Sequence, residues 1–209
     1  MASIVLGSTT VISESSGTPT IQSGVALQSG VIFPTGHIIQ VVQYMLQDSF
    51  TQTVNSDSGY VIMNDGTDDF AVTITTKKAN SRIKLSINFG QIVMHNTGTG
   101  WGGHVRVYRD IGATSTEIAK HISPAGNTPK GTFSVSTNNT TYDDGGKGFM
   151  FIDTPAQNAG TTMTYKLGVK GHGSGNYTMM VNWNASTTSG QYGYQGTSIS
   201  TFIAEEISV

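Results

Sequence analysis

From Arg82 to Phe89 the chain alternates without a break: Ile83, Leu85, Ile87 and Phe89 fall on one side of an extended backbone, and Arg82, Lys84, Ser86 and Asn88 on the other. Successive strand residues point to opposite faces, so the pattern specifies a strand with one face in a core and one in water. The same period of two runs through Phe70, Val72 and Ile74, through Met163, Tyr165, Leu167 and Val169, and through Tyr177, Met179, Val181 and Trp183. Less regular strands are predicted over 38–45, 91–95, 104–110, 116–120, 148–153 and 198–207. Between them stand turn formers such as Asp57-Ser58-Gly59, Asn64-Asp65-Gly66, Gly98-Thr99-Gly100 and Asp143-Asp144-Gly145-Gly146. Asn, Asp and Gly reverse a chain at little steric cost. About ten short strands spaced by such turns read as an all-β, antiparallel jelly-roll sandwich. No helix-period segment competes, and residues 124–147 are expected to be a loop excursion.

The clearest patterns lie near the two ends, in Phe33-Pro34-Thr35-Gly36-His37-Ile38-Ile39-Gln40-Val41-Val42-Gln43 and in Thr201-Phe202-Ile203-Ala204-Glu205-Glu206-Ile207. These first and last strands are expected to pair near each other, as in a closed sandwich. Residues 1–36 have a different texture, with no aromatic before Phe33 and a single charge, Glu14. Gln22-Ser23-Gly24-Val25-Ala26-Leu27 is followed by the similar Gln28-Ser29-Gly30-Val31-Ile32-Phe33, which puts Ile21, Leu27 and Phe33 in one row and Val25 and Val31 in a second. Two repeats cannot bury such rows alone. The expected organisation is an extended N-terminal anchoring arm over 1–36, packing on its own copies or on a docking protein, followed by a jelly-roll body over 37–209.

Eleven Lys and Arg against 13 Asp and Glu leave a net charge of -2, and charged residues are only 11% of the chain. There is no basic field for nucleic acid. No stretch approaches the roughly 20 apolar residues of a membrane span, and Met1–Gly7 lacks the basic region of a secretory signal. Synthesis in the cytosol without membrane insertion is expected. With no cysteine, neither disulfides nor thiolate chemistry contributes. The sequons at Asn138, Asn139, Asn176 and Asn184 are what a chain this rich in Asn, Ser and Thr produces by chance.

The motifs that touch on chemistry give way on inspection. Gly98-Thr99-Gly100-Trp101-Gly102-Gly103 has the spacing of a dinucleotide fingerprint, but His104-Val105-Arg106-Val107-Tyr108-Arg109 continues as a strand and not as the required helix. Gly171-His172-Gly173-Ser174-Gly175 lacks the nucleophile-elbow spacing. His37, His95, His104, His121 and His172 form no close pair in sequence. The acidic turns at Asp65–Asp69 and Asp143-Asp144 suit calcium in composition and turn formation in spacing. Glu205 and Glu206 are adjacent, so on a strand they point to opposite faces and cannot act as a pair. No catalytic, cofactor-binding or metal-binding residue is therefore assigned, and no cofactor is expected. Trp101, Tyr192 and Tyr194 lie in glycine-rich connections and are candidate receptor or glycan contacts, since loop aromatics supply apolar area at low entropic cost.

Taken with Gly7-Ser8-Thr9-Thr10-Val11-Ile12-Ser13, Thr73-Ile74-Thr75, Asn80-Ser81-Arg82-Ile83-Lys84-Leu85 and Gly196-Thr197-Ser198, the two terminal patterns resemble small virion proteins of tailed bacteriophages, particularly phages of marine bacteria and cyanobacteria. The layout is similar to trimeric jelly rolls of the tumour necrosis factor and complement globular-head type. That resemblance implies a homotrimer at the virion surface with no catalytic residues. It also implies a partner virion protein for residues 1–36, with Ile21, Val25, Leu27, Val31 and Phe33 as anchoring residues, and a host surface glycan or protein for the loops. A tail fibre or receptor-binding role is the first expectation and a capsid decoration protein the alternative. No shaft or collagen-like repeat of a long fibre is present. An enzyme acting on glycans would need a carboxylate pair in a groove, and no spacing identifies one.

Overall fold

The computed structural model describes residues 3–6, 9–15, 18–21, 34–55, 59–95, 102–119, 131–135, 146–172, 175–182 and 198–209, with the backbone alone for 3–21. Two compact units result, Met1–Phe33 and Pro34–Val209. In the first, β1 (Ser3–Leu6), β2 (Thr9–Ser15) and β3 (Thr18–Ile21) form a three-stranded antiparallel sheet in the order β1-β2-β3. The arm expected over 1–36 includes this three-stranded meander. Gly7-Ser8 and Ser16-Gly17 stand between these strands in the sequence.

The second unit is built from β4 (Ile38–Leu46), β5 (Phe50–Asn55), β6 (Val61–Ile62), β7 (Ala71–Thr75), β8 (Arg82–Phe89), β9 (Ile92–His95), β10 (Gly103–Ile111), β11 (Thr114–Ile118), β12 (Phe133–Val135), β13 (Lys147–Asp153), β14 (Thr162–Gly171), β15 (Asn176–Val181) and β16 (Ser200–Ile207). Every pairing is antiparallel, and there is no helix among the described residues. One sheet runs β13-β8-β16-β4 and a second β5-β15-β9. The third is centred on the long pair β10 and β14, with β11 and β12 on the far side of β10 and β6 and β7 on the far side of β14. The first and last strands of this unit, β4 and β16, are direct neighbours.

The alternating residues of β8, β14, β15 and β16 meet in one core shared by all three sheets. Phe70, just ahead of β7, stacks on Phe89 and Phe202 at 5.3 and 6.0 Å between ring centres and meets Tyr44 edge-on at 5.4 Å. Offset and edge-to-face rings add about 0.5–1.5 kcal/mol per pair to their burial. Polar ties close the margins. Asn182, at φ 50° after β15, donates its side-chain N–H to the carbonyls of Leu46 (2.9 Å) and Asp48 (3.3 Å) and accepts from the hydroxyls of Ser200 (2.6 Å) and Ser198 (3.3 Å). A single side chain thus fixes the place where the chain leaves β4 for β5. Gly36 N–H donates to Ser208 O and Ser208 N–H to His37 O, both at 2.8 Å, which anchors the start of the unit beside β16.

Candidate functional site

Register and alternation place every side chain of the four-stranded sheet on one of two faces. Facing inward are the cross-strand rows Phe149–Ile87–Phe202–Tyr44, Phe151–Leu85–Ala204–Val42 and Asp153–Ile83–Glu206–Gln40. The last row carries two buried carboxylates, Asp153 at one end and Glu206 in its interior, and both are engaged. Asp153 accepts two bonds from the Arg109 guanidinium, at 2.8 and 2.7 Å, and one from the Tyr165 hydroxyl at 2.8 Å. Burial first, then the Asp153 charge, holds that hydroxyl protonated far above the ordinary tyrosine range. Glu206, with no exposed surface, accepts from the backbone N–H of Lys77 (2.9 Å to each oxygen), from that of Lys78 (3.0 Å) and from the Gln40 amide (2.5 Å). These contacts suit tethers between elements; neither carboxylate faces open space.

Facing outward are the rows Met150–Ser86–Ile203–Gln43, Ile152–Lys84–Glu205–Val41 and Arg82–Ile207–Ile38, with Met45 beside Thr201 at the next level. Val41 is 58% exposed, Met150 64%, Met45 46% and Ile152 46%. An antiparallel sheet with one wet face normally keeps apolar residues on the dry one. Here the two edge strands, β4 and β13, break that rule. The only ion pair on the face among the described residues is Lys84–Glu205 at 2.5 Å, and it lies between Ile152 and Val41 in register.

The outer face of the six-stranded sheet has the opposite character. Thr73 pairs with Thr164 and Thr75 with Thr162 through hydroxyl bonds of 2.9 Å. Lys166 pairs with Asp110, and Arg106 with Glu117 at 3.0 Å while its guanidinium lies 3.8 Å over the Tyr60 ring. One outer surface carries polar and charged side chains that pair with one another. The other leaves apolar side chains in water along its two edges, Val41 and Met45 on β4 and Met150 and Ile152 on β13, with the Lys84–Glu205 pair between them.

Of the residues singled out from sequence, Trp101, Tyr192, Tyr194, Val25, Leu27, Val31 and Phe33 lie outside the described residues, and Ile21 is seen only as backbone, paired with Ile12. Around Asp65 the acidic cluster folds as a turn: its carboxylate accepts from the N–H of Thr67 and Asp68, both 2.8 Å, which lowers its pKa. Asp143 and Asp144 are outside the described residues. The reading of Glu205 and Glu206 as pointing apart agrees with their partners, Lys84 outside and Lys77, Lys78 and Gln40 inside. Sequence reasoning missed the meeting of His104 and His172, whose ring centres are 5.5 Å apart with planes at 87°. Sixty-odd residues separate them in the chain, and only the register of β10 on β14 unites them. Burial, then His172, then Arg106, lowers the His104 pKa.

No protein-family model matches the chain, and no curated protein matches it. Among solved structures it is similar to the infectious bursal disease virus VP2 subviral particle, at 13% identity and a TM-score of 0.39, over 90% of this chain and 43% of that one. The Gx strain of the same virus gives 13% and 0.39 over 90% and 42%. The T13 particle of that virus gives 15% and 0.37 over 90% and 40%. The chain therefore spans less than half the length of the chains it matches. A likeness at this level leaves the function to be read from the chain's own residues.

Proposed function

We propose that this chain is a non-enzymatic structural protein of a bacteriophage virion, a homotrimer exposed at the particle surface and serving on the tail in host attachment. The jelly-roll body, in this reading, turns the outer face of its four-stranded sheet toward a common threefold axis. The observation that carries it is the exposure of Val41, Met45, Met150 and Ile152 on that face, beside an opposite sheet whose outer surface is polar and internally paired. The occupant is a second and third copy of the chain. Lys84 and Glu205 neutralise each other at the middle of the face, so like faces meet without stranding a buried charge, the costly outcome. A chain with 11% charged residues also gains from withdrawing both apolar edges of this face into a closed symmetric assembly. The resemblance to phage virion proteins supports the virion setting and the trimer. In the same reading residues 1–36 attach to another virion protein, and threefold repetition of the loops lets weak host contacts add.

The test is the solution mass of the full chain by light scattering, with and without Val41→Asp/Met150→Asp. The expected mass is about 66 kDa, three times 22.1 kDa, falling to the monomer value in the double variant while the β spectrum persists. A monomeric parent overturns the reading, and so does a trimer indifferent to the double variant. Incorporation of the chain into heads and not tails would replace tail attachment by capsid decoration.

A further inference from the structure

We infer that the outer face of the six-stranded sheet binds an acidic saccharide, whose carboxylate or sulfate group is held by Lys170, His172 and His104. The inference rests on the host-attachment reading above and names the chemistry the host surface presents to this face.

Three basic side chains meet at one end of the face. His104 of β10 lies directly across from Lys170 of β14, and cross-strand partners project from the same side of a sheet. His172 follows Lys170 by two residues, and its ring meets that of His104 edge to face, 5.5 Å between centres. All three are half-buried. Their backbone is braced: β12 and β14 both pair with β10 at His104, and His172 donates its N–H to Gly102 O at 2.9 Å.

The charges on the face do not balance there. Asp110 and Glu117 are the only acids on the six strands of this sheet. Glu117 is taken by Arg106 at 3.0 Å, and Asp110 by Lys166. Lys170 has no acidic partner among the described residues. The Ser134 hydroxyl lies 3.2 Å from His104 Nδ1. When it donates there, the imidazole proton sits on Nε2, and that N–H has no partner among the described residues. An ammonium with imidazole donors beside it and no counter-charge is complementary to an anion, and hydrogen bonds to an anion are the strong ones.

Planar groups continue the face from this basic end. The next outward level along β10 and β14 is Arg106 opposite Gly168, about 7 Å farther on. A Cβ on Gly168 would stand 2.6 Å from Tyr108 Cε2 and 3.3 Å from Tyr60 Cβ, so both tyrosines close over the bare backbone. The Arg106 guanidinium lies 3.8 Å over the Tyr60 ring. A sugar ring lays its C–H face on aromatic groups of this kind, which supply apolar area with polar tips for its hydroxyls. One unpaired ammonium is too little for a nucleic acid, which is bound through many phosphates at once.

The test is calorimetric titration of the full-length protein at pH 7.5 with three matched probes: a galacturonic acid tetramer, a sulfated galactose tetramer and an uncharged galactose tetramer. At least one charged tetramer should bind saturably, one per chain, and the uncharged one about 10-fold more weakly or worse; the tighter charged probe tells carboxylate from sulfate. Lys170→Gln should weaken that binding about 10-fold and Lys170→Arg restore it, while Lys77→Gln, the same change in net charge at an exposed site on the turn after β7, leaves it unchanged. His104→Gln and His172→Gln should each weaken it several-fold. No binding of either charged probe, equal binding of the uncharged one, or binding indifferent to Lys170→Gln or to both histidine changes would overturn the site. Light scattering on the same samples separates this from the reading beneath it: a trimer that binds no tetramer refutes the site and leaves the trimer, and a monomer that binds one does the reverse.

Discussion

Removing the Glu206 carboxylate separates what it ties from what merely surrounds it. Its two oxygens receive three donors, the backbone N–H groups of Lys77 and Lys78 and the side-chain amide of Gln40, so it fastens β16 to β4 and to the turn after β7. Hydrogen bonds to a charged group contribute about 1.5–3 kcal/mol each. Lys77 is exposed and Lys78 half-buried, so water reaches part of what a truncation vacates, and a net value of about 1 kcal/mol per donor is the better guide. Glu206→Ala should therefore cost about 3 kcal/mol, or a fall of roughly 10 °C in Tm for a chain this long. Glu206→Gln keeps one acceptor oxygen for the Lys77 and Lys78 amides but turns an N–H₂ toward the Gln40 N–H₂. Gln40 can reverse its amide only by giving up its 2.7 Å bond to Thr75 O, so about 1–2 kcal/mol is lost. Urea unfolding at fixed protein concentration, with unchanged m-values, measures both. Losses under about 1 kcal/mol in both variants, or a gain from Gln, would show that burying the charge costs as much as its bonds return, and the reasoning would fail.

Two further outcomes rest on the same kind of accounting. Asp153→Ala strands the Arg109 guanidinium between the two sheets and should cost about 3–5 kcal/mol, with Tyr165→Phe costing about 1 kcal/mol; equal losses in urea would mean that the charge pair contributes nothing beyond the hydroxyl bond. Because the folded pKa of His104 is lowered from 6.5, the unfolded chain binds its proton first as pH falls. The His104 contribution to stability should thus be constant above about pH 6.5 and fall below it. His104→Gln should flatten that part of the profile in urea midpoints between pH 7.5 and 5.5, and superimposable profiles would refute it.

Where one face of a strand is buried and the other wet, the alternation was legible: β7, β8, β14 and β15 stand where Phe70, Ile83, Met163 and Tyr177 begin their patterns. β5 was not, because Gln52 sits between the buried Phe50 and Val54 as a structural donor and acceptor, bonding Ile62 O at 2.8 Å and Asn64 N at 3.3 Å. β12 occupies three residues of the expected loop excursion, too few for a period to show. In β13 the run Phe149-Met150-Phe151-Ile152 is apolar on both faces, so the strand could be read but not the face left in water. Opposite directions for Glu205 and Glu206 followed from adjacency; which one is buried depends on the turn at Lys77 and Lys78, a tertiary fact. The histidine pair required a register between strands distant in sequence, which local pattern does not encode.

The place of β16 between β8 and β4 bears on how the chain reaches this fold during synthesis. Within this sheet β4 is made first and β8 some forty residues later, yet the two are not neighbours, because the strand that joins them follows all the other described strands. Until then the inner faces of Val42, Tyr44, Leu85 and Ile87 lack Phe202 and Ala204 as covering neighbours. Closing a contact across so long a stretch of chain is entropically slow. A nascent chain of this protein therefore carries an unfinished sheet with two sticky edges for most of its translation, and a polysome of such chains, holding many copies side by side, is where wrong partners compete with β16.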